Sequence, residues 1–245
     1  MRVLATIEAR MSATRLPGKV MLPVDGAPML QRLVERLAGC RRVDGVKVLS
    51  TLHPADEVIE TLCLRLGVPV FRGSENDVTD RILDGTAAEM PDIVVELTGD
   101  NPLVDPGLID DAVEHLVSHG CDYVYNSLTR PVILGQNIRA FTRDALVRMS
   151  ALCQDPTMRV HGGYYMECRP DLFRIGECPV PDAVVRDDIR LTVDEPADYE
   201  LVRCLAERLG TGAAAGIDRI LAVLDADPAL RALNQNIRQK KPSEG

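Results

Sequence analysis

The chain contains no tryptophan, and phenylalanine and tyrosine together supply 3% of its 245 residues. A base-stacking platform for single-stranded nucleic acid needs more rings than that. Positive charge is also short: 28 Lys and Arg face 37 Asp and Glu, a formal net charge of −9. A duplex-binding face needs many phosphate-neutralising cations, so nucleic acid is not expected as a partner. No apolar run approaches the ~20 residues that span a bilayer, so no membrane partner is expected. The seven cysteines, at positions 40, 63, 121, 153, 168, 178 and 204, form no C-x-x-C pair and make an odd total. Zinc and disulfide frameworks lose support accordingly, and Cys63, between Leu62 and Leu64, reads as a small buried thiol. Also missing are a G-x-x-x-x-G-K-[ST] phosphate loop and a G-x-G-x-x-G after the first strand, which weakens kinase and dehydrogenase readings. Met1-Arg2-Val3 runs into a strand with no signal-like segment, and a cytoplasmic protein is expected.

What is present is an alternation of strands and helices in a chain that is 46% apolar, enough to bury a sizeable core. Val3-Ile7, Val46-Leu49, Val68-Phe71, Ile93-Leu97 and Tyr123-Tyr125 read as strands. Met29-Leu37, Val58-Leu66, Ile82-Glu89 and Leu108-Val117 carry helical spacing between them. The order predicts an α/β fold, a mostly parallel sheet with helices on both faces. Pro131, Gly135, Gly162, Gly163, Pro179 and Pro181 break the pattern over 127–190, where a smaller irregular region with antiparallel strands is expected. Helices resume over 197–238 with a Gly-Ala break at 210–216. A single domain over 1–238 and a loose tail over 239–245 follow.

Three cations lie on the connection after the first strand, Arg10-Met11-Ser12-Ala13-Thr14-Arg15-Leu16-Pro17-Gly18-Lys19. Open α/β sheets bind ligands beyond the carboxyl ends of their strands, which is where Arg10, Arg15 and Lys19 fall. Arg offers a planar fork for paired oxygens, and Lys a mobile point charge. The plainer alternative is a solvated basic loop. After the fourth strand comes Thr98-Gly99-Asp100-Asn101-Pro102-Leu103-Val104-Asp105-Pro106. Asp105 before Pro106 reads as a helix cap, whereas Gly99 lets the chain turn and leaves Asp100 at the crevice. Leu191-Thr192-Val193-Asp194-Glu195-Pro196 repeats the theme of a short strand ending at an acid, although Asp194 alone would read as an N-cap. In Gly73-Ser74-Glu75-Asn76-Asp77-Val78-Thr79-Asp80-Arg81, Ser74 reads as a cap with Asp77 in the capping-box position. Arg81 is open between an i,i+4 pair with Asp77 and a ligand contact.

These segments together resemble the sugar nucleotidyltransferases of the cytidylyltransferase type, nearest to the SpsF group and related to the synthetases of CMP-Kdo and CMP-sialic acid. Arg10 to Lys19 resembles their R-x-x-S/T-x-R-L-P-G-K signature, Thr98 to Pro106 their T-G-D-x-P-L-[IV]-D-P, Gly73 to Arg81 their G-S-E-x-D-V-x-D-R, and Leu191 to Glu200 their L-T-V-D-x-P-x-D-x-E. Ile220 to Pro228 resembles their I-L-x-x-L-D-x-x-P. The resemblance implies a Rossmann-like, GT-A-like nucleotidyltransferase fold, with 127–190 on the sugar side and forming a homodimer. It implies transfer of a nucleoside monophosphate, CMP from CTP, to an acidic sugar. Arg10, Lys19 and Asp100 would be catalytic. Arg10, Met11, Ser12, Arg15, Lys19, Ser74, Arg81 and Thr98 would meet the nucleotide, and Asp100 and Asp194 would hold Mg2+. Asn126, Gln136, Asn137, Arg139, Arg159 and His161 would face the sugar.

The chain also departs from the family pattern. Relatives often carry G-L-D-V-E where it has Gly135-Gln136-Asn137-Ile138-Arg139, so one acid becomes an amide and another an Arg able to pair with a carboxylate on the acceptor. Gly162-Gly163 replaces the usual Thr-Pro after Arg159-Val160-His161, Glu8 replaces the frequent Gln, and Ser12-Ala13 replaces Gly-Ser. Two rivals follow. One is a glycosyltransferase of GT-A type, which prefers a D-x-D motif that Gly99-Asp100-Asn101 does not complete. The other is a nucleotide- or sugar-binding homologue with impaired turnover.

Overall fold

Strands form where apolar and β-branched residues run together, and helices where apolar residues recur every three or four positions. In chain order the strands are β1 (Val3–Glu8), β2 (Pro23–Val24), β3 (Ala27–Pro28), β4 (Gly45–Thr51), β5 (Val70–Gly73), β6 (Ile93–Thr98), β7 (Tyr123–Tyr125), β8 (Arg139–Thr142) and β9 (Ile175–Glu177). The helices are α1 (Met29–Leu37), α2 (Glu57–Leu66), α3 (Val78–Gly85), α4 (Pro106–His119), α5 (Arg143–Leu152), α6 (Pro156–Arg159), α7 (Tyr164–Glu167), α8 (Pro196–Leu209), α9 (Ile217–Ala226) and α10 (Pro228–Arg231). These come from a computed structural model that describes residues 1–210 and 215–239. Most of the Gly-Ala break and of the tail lies outside the described residues.

Seven strands form one sheet in the order β5-β4-β1-β6-β8-β7-β9, and β2 pairs with β3 as a small antiparallel ribbon. The first four positions are parallel, with Glu8 opposite Leu49 on one side and Thr98 on the other. That arrangement brings the carboxyl ends of β1, β4 and β6 to one edge. Tyr123–Tyr125 does not neighbour the Ile93 strand, because β8 runs antiparallel between β6 and β7 and pairs Glu96 with Arg139. An antiparallel strand of the irregular region is thus part of the main sheet.

The sheet is covered on both faces, as its near-continuous apolar strands require. Val3, Ala5 and Ile7 of β1 pack with Leu30 and Leu33 of α1, Ile59 of α2, Ile109 of α4 and Leu205 of α8. On the other face Leu49, Val94 and Phe141 pack with Ile82 of α3 and Leu146 and Met149 of α5. The caps follow local chemistry: Asp105 accepts a hydrogen bond from the Gly107 N–H and Pro106 opens α4, satisfying a donor the helix leaves unpaired. At α3 the cap is Asp77, whose carboxylate accepts from Asp80 N–H at 2.9 Å, while the Ser74 hydroxyl accepts from Asp77 N–H at 3.1 Å one step earlier.

Candidate active site

The loop after β1 is shaped before any ligand arrives. Gly18 N–H donates to the Met11 carbonyl at 2.9 Å and closes the loop, and Met11 N–H donates to Asp56 Oδ1 at 2.7 Å. Asp56 is buried directly before α2 and also accepts from Thr51 at the end of β4, so the loop hangs from a fixed acid. Across from it, Gly99 lets the turn after β6 lie against β1. A Cβ there would stand 3.1 Å from Val20 and 3.2 Å from the Glu8 carbonyl, and Gly99 N–H donates to that carbonyl at 2.8 Å. Val193 N–H donates to the Asp100 carbonyl at 2.9 Å, so the segments bearing Asp100 and Asp194 are stitched together through their backbones.

Lys19 is the junction of these parts. Its ammonium lies 2.7 Å from Asp100 Oδ2 and 2.7 Å from Asp194 Oδ1. Arg15 reaches Asp194 Oδ2 at 2.8 Å and Glu195 at 3.5 Å. Burial works against the Lys19 cation, yet the two aspartates outweigh it and hold its pKa above the ordinary value. Burial likewise works to raise Asp194, but Lys19, Arg15 and Arg190 overcome it and hold that carboxyl below its ordinary range. Asp194 is not the cap of α8. Glu195 is, in a capping box with Asp198, which leaves the Asp194 carboxylate free to face the crevice. Thr98 donates to Asp100 Oδ1 and accepts from Asn101, fixing the Asp100 rotamer.

A cavity of about 390 Å³ opens beside this cluster, lined among others by Arg15, Asp100, Asp194, Tyr125, Asn137 and Arg139. Arg139 stacks on Tyr125 with its guanidinium carbon 4.5 Å from the ring centroid, while Asn137 donates to the Tyr125 hydroxyl at 3.2 Å. His161 lines the same cavity. Other expected residues are used elsewhere. Arg10 turns to Glu75 at 3.8 Å, where the Ser12 hydroxyl also donates at 2.9 Å. Arg81 pairs neither with Asp77 nor with the crevice but with Glu8 at 2.7 Å. Gln136 is fully buried, its amide spent on Leu103 O and Asp105 N–H. Asn126 is buried too and clasps Gln136 O and Ile138 N–H. Arg159 is tied to Asp77 at 2.6 Å and to Asp80, bracing α3 against α6. These last three serve the fold.

Sequence reasoning passed over several residues that build the site. Arg190 bridges Asp194 at 2.6 Å and Asp198 at 2.9 Å, and the fully buried Asp198 accepts from the backbone N–H groups of Asp194 and Glu195. Glu96 stands buried among the apolar residues Ile93, Val94, Val95 and Leu97 of β6, a signal that the acid is present for a reason. Burial raises its carboxyl against the pull of Arg139.

A parallel-sheet crevice whose basic loop meets two convergent carboxylates beside a polar cavity has the placement of a ligand site in an open α/β fold. Comparison with known proteins takes the assignment further. Residues 4–174 match the model of the cytidylyltransferase family. SpsF, the spore coat polysaccharide biosynthesis protein of Bacillus subtilis, is 32% identical over 92% of this chain and 95% of its own. A 3-deoxy-manno-octulosonate cytidylyltransferase of Geobacter metallireducens is 34% identical over 48% of this chain and 46% of its own. The solved structure of a cytidylyltransferase from Leptospira borgpetersenii superposes with a TM-score of 0.89 at 31% identity, covering 98% of this chain and all of that one. The chain belongs to the cytidylyltransferase family.

Proposed function

We propose that the protein transfers CMP from CTP to a hydroxyl of an acidic sugar, a 2-keto sugar acid, and releases pyrophosphate, in the synthesis of a surface polysaccharide or glycan. The observation that carries this reading is the meeting of Lys19 with Asp100 and Asp194, two acids that line the same cavity as Arg139. Arg15 and Lys19 would grip the phosphate oxygens, the arginine through two parallel hydrogen bonds and the lysine as a point charge. Arg139 would pair with the acceptor carboxylate. The acceptor hydroxyl would attack the α-phosphorus in line, its proton passing to solvent water as the bond from the α-phosphorus to the pyrophosphate oxygen breaks and pyrophosphate departs. Positioning and charge neutralisation suffice for such a transfer, and no covalent enzyme intermediate is needed. The relatives named for a sugar acid and for coat polysaccharide support cytidine and an acidic acceptor.

The donor set suits magnesium. Asp100 and Asp194 offer hard carboxylate oxygens that already share one cation, the Lys19 ammonium. Among the described residues no group of three or more His, Cys, Asp or Glu is placed to hold a metal. Two carboxylates with the remainder left to water and phosphate is the usual provision for Mg2+. Asp100 and Asp194 would hold it, and when bound it would neutralise charge on the phosphates.

The test is pyrophosphate release with each of the four nucleoside triphosphates, magnesium and a panel of 2-keto sugar acids. Transfer with CTP is expected. Release without a nucleotide sugar, or equal rates with every base, counts against the reading. In Asp100→Ala turnover should fall by a factor of about 100 or more with the fold retained by circular dichroism. Lys19→Ala should raise the KM for the triphosphate and slow turnover.

A further inference from the structure

The larger cavity takes part of its wall from the far end of the chain. Gln239 lines it together with Arg15, Thr192 and Asp194, although its place in the sequence reads as the start of a loose tail. A second cavity of about 170 Å³ adjoins the larger one through Glu96, Thr98, Arg139 and His161, and no residue beyond Tyr164 lines it. The C-terminal segment therefore reaches one cavity and not the other. Its course is fixed by burial and by hydrogen bonds. Leu230 of α10 is buried in the core. The buried Asn234 donates to the Arg190 carbonyl at 3.0 Å and to Asp198 Oδ1 at 2.8 Å, and Ile237 N–H donates to the Asn234 carbonyl at 3.0 Å. A buried amide satisfied in this way pins the segment to the Arg190–Asp198 pair, from which Gln239 extends to the cavity.

Arg190 decides which way the Gln239 amide turns. Its Nη1 donates to Gln239 Oε1, while Nη2 holds Asp194 Oδ2 at 2.6 Å and Nε holds Asp198 Oδ1 at 2.9 Å. A guanidinium has donors only, so the amide must offer it the oxygen. The Nε2 end, with two N–H donors, makes no hydrogen bond to any described residue. Gln239 is exposed, so those donors are accessible to a ligand in the cavity. Arg15 and Arg190 share Asp194 Oδ2, at 2.8 Å and 2.6 Å. Contacts thus run from Gln239 through Arg190 and Asp194 to Arg15, the side on which phosphate would be gripped. Arg139, by contrast, is tied to the Tyr125 ring and the Tyr123 hydroxyl. We infer that Gln239 is a substrate-contacting residue whose Nε2 donates to a phosphoryl oxygen of the nucleoside triphosphate, so that the C-terminal segment completes the nucleotide site. The inference rests on the reading of the crevice as a triphosphate site. A neutral amide supplies donors there without competing for Asp194 as a further cation would.

Two substitutions separate contact from support. Gln239→Ala removes both the donors and the oxygen that Arg190 uses. Gln239→Glu keeps an oxygen for Arg190 and replaces the donors with a charge that repels phosphate. The full chain is titrated calorimetrically with each of the four nucleoside triphosphates and magnesium, and melted without ligand. Both variants are expected to bind CTP about tenfold more weakly, the worth of a hydrogen bond to an ionised group, and Gln239→Glu should melt no lower than the parent chain. If Gln239 only props Arg190, the alanine variant weakens and the glutamate variant binds as the parent does. If added charge alone acts, the glutamate variant weakens and the alanine variant does not. Either pattern, or unchanged affinity in both, overturns the contact. In turnover the loss should fall on the KM for the triphosphate, and a rise confined to the KM for the acceptor overturns the assignment to phosphate. Should Gln239→Ala fail to fold, Gln239→Met, which keeps the side-chain length, takes its place with the same expected loss. A parent chain that binds another triphosphate in place of CTP removes the cytidine reading alone, and the contact is then measured with that triphosphate. A parent chain that binds none removes the triphosphate site and the contact together.

Discussion

Glu8 and Glu96 keep carboxyl groups on strand faces where apolar side chains would pack more cheaply, and their protons answer to that burial. Glu8 holds its proton to about pH 8 in the folded chain against an ordinary 4.5, so across that interval the native state binds more protons than the unfolded one. Stability therefore falls as pH rises from about 4.5 to 8, at up to ~1.4 kcal/mol per pH unit from one such group. Glu96, also raised, acts in the same direction. Glu8→Gln should flatten this decline in urea midpoints measured from pH 5 to 8, without removing the share owed to Glu96. A profile identical to that of the parent protein would contradict it. At the same scale the sequence was legible for Arg15, Lys19, Asp100 and Asp194, whose positions at strand ends leave them little else to meet. It was misleading for Arg81, Arg159 and Gln136, because a long polar side chain takes whichever buried partner tertiary packing supplies, and those partners lie 73, 82 and 33 residues away.

The elements that hold the site differ in how openly they advertise themselves. β1, β4, β5 and β6 are apolar runs separated by helices, a pattern that carries its own topology because right-handed crossovers leave few arrangements. β8 is four residues long, and its place between β6 and β7 depends on pairing with residues far back in the chain. No local period announces that. The start of α8 is the most consequential element end. There Asp198 accepts from two backbone N–H groups, from Arg190 and from Asn234, and so sets where Asp194 points. Asp198→Ala leaves the buried Arg190 short of a partner and is expected to cost about 3–5 kcal/mol, read as a lowered denaturation midpoint. Turnover should drop as well, although Asp198 lines neither cavity. A variant with parental stability and rate would show that α8 is positioned by packing alone.

Across the whole molecule, segments near residues 10–19, 98–105 and 191–195 converge on one edge of the sheet. A parallel sheet collects its carboxyl ends in that way, which made the crevice readable from strand order alone. Its second cavity was not readable, since it depends on side chains from β1, β6, β8 and the turn before α7 at once. A molecule with net charge −9 attracts a polyanion only where the field is locally reversed, so binding should register as a gain in global stability. CTP with magnesium at a hundredfold its dissociation constant should add about 2.7 kcal/mol, a rise in melting temperature of roughly 5–11 °C for a domain of this size. No rise with any nucleoside triphosphate would speak against a triphosphate site. The seat of Lys19 between Asp100 and Asp194 has one more consequence. The crevice carries its own tethered counter-ion, so its two acids stay quiet toward each other in the resting protein. On the proposed reading, an arriving polyphosphate would win that ammonium by exchange, trading one anionic neighbour for another.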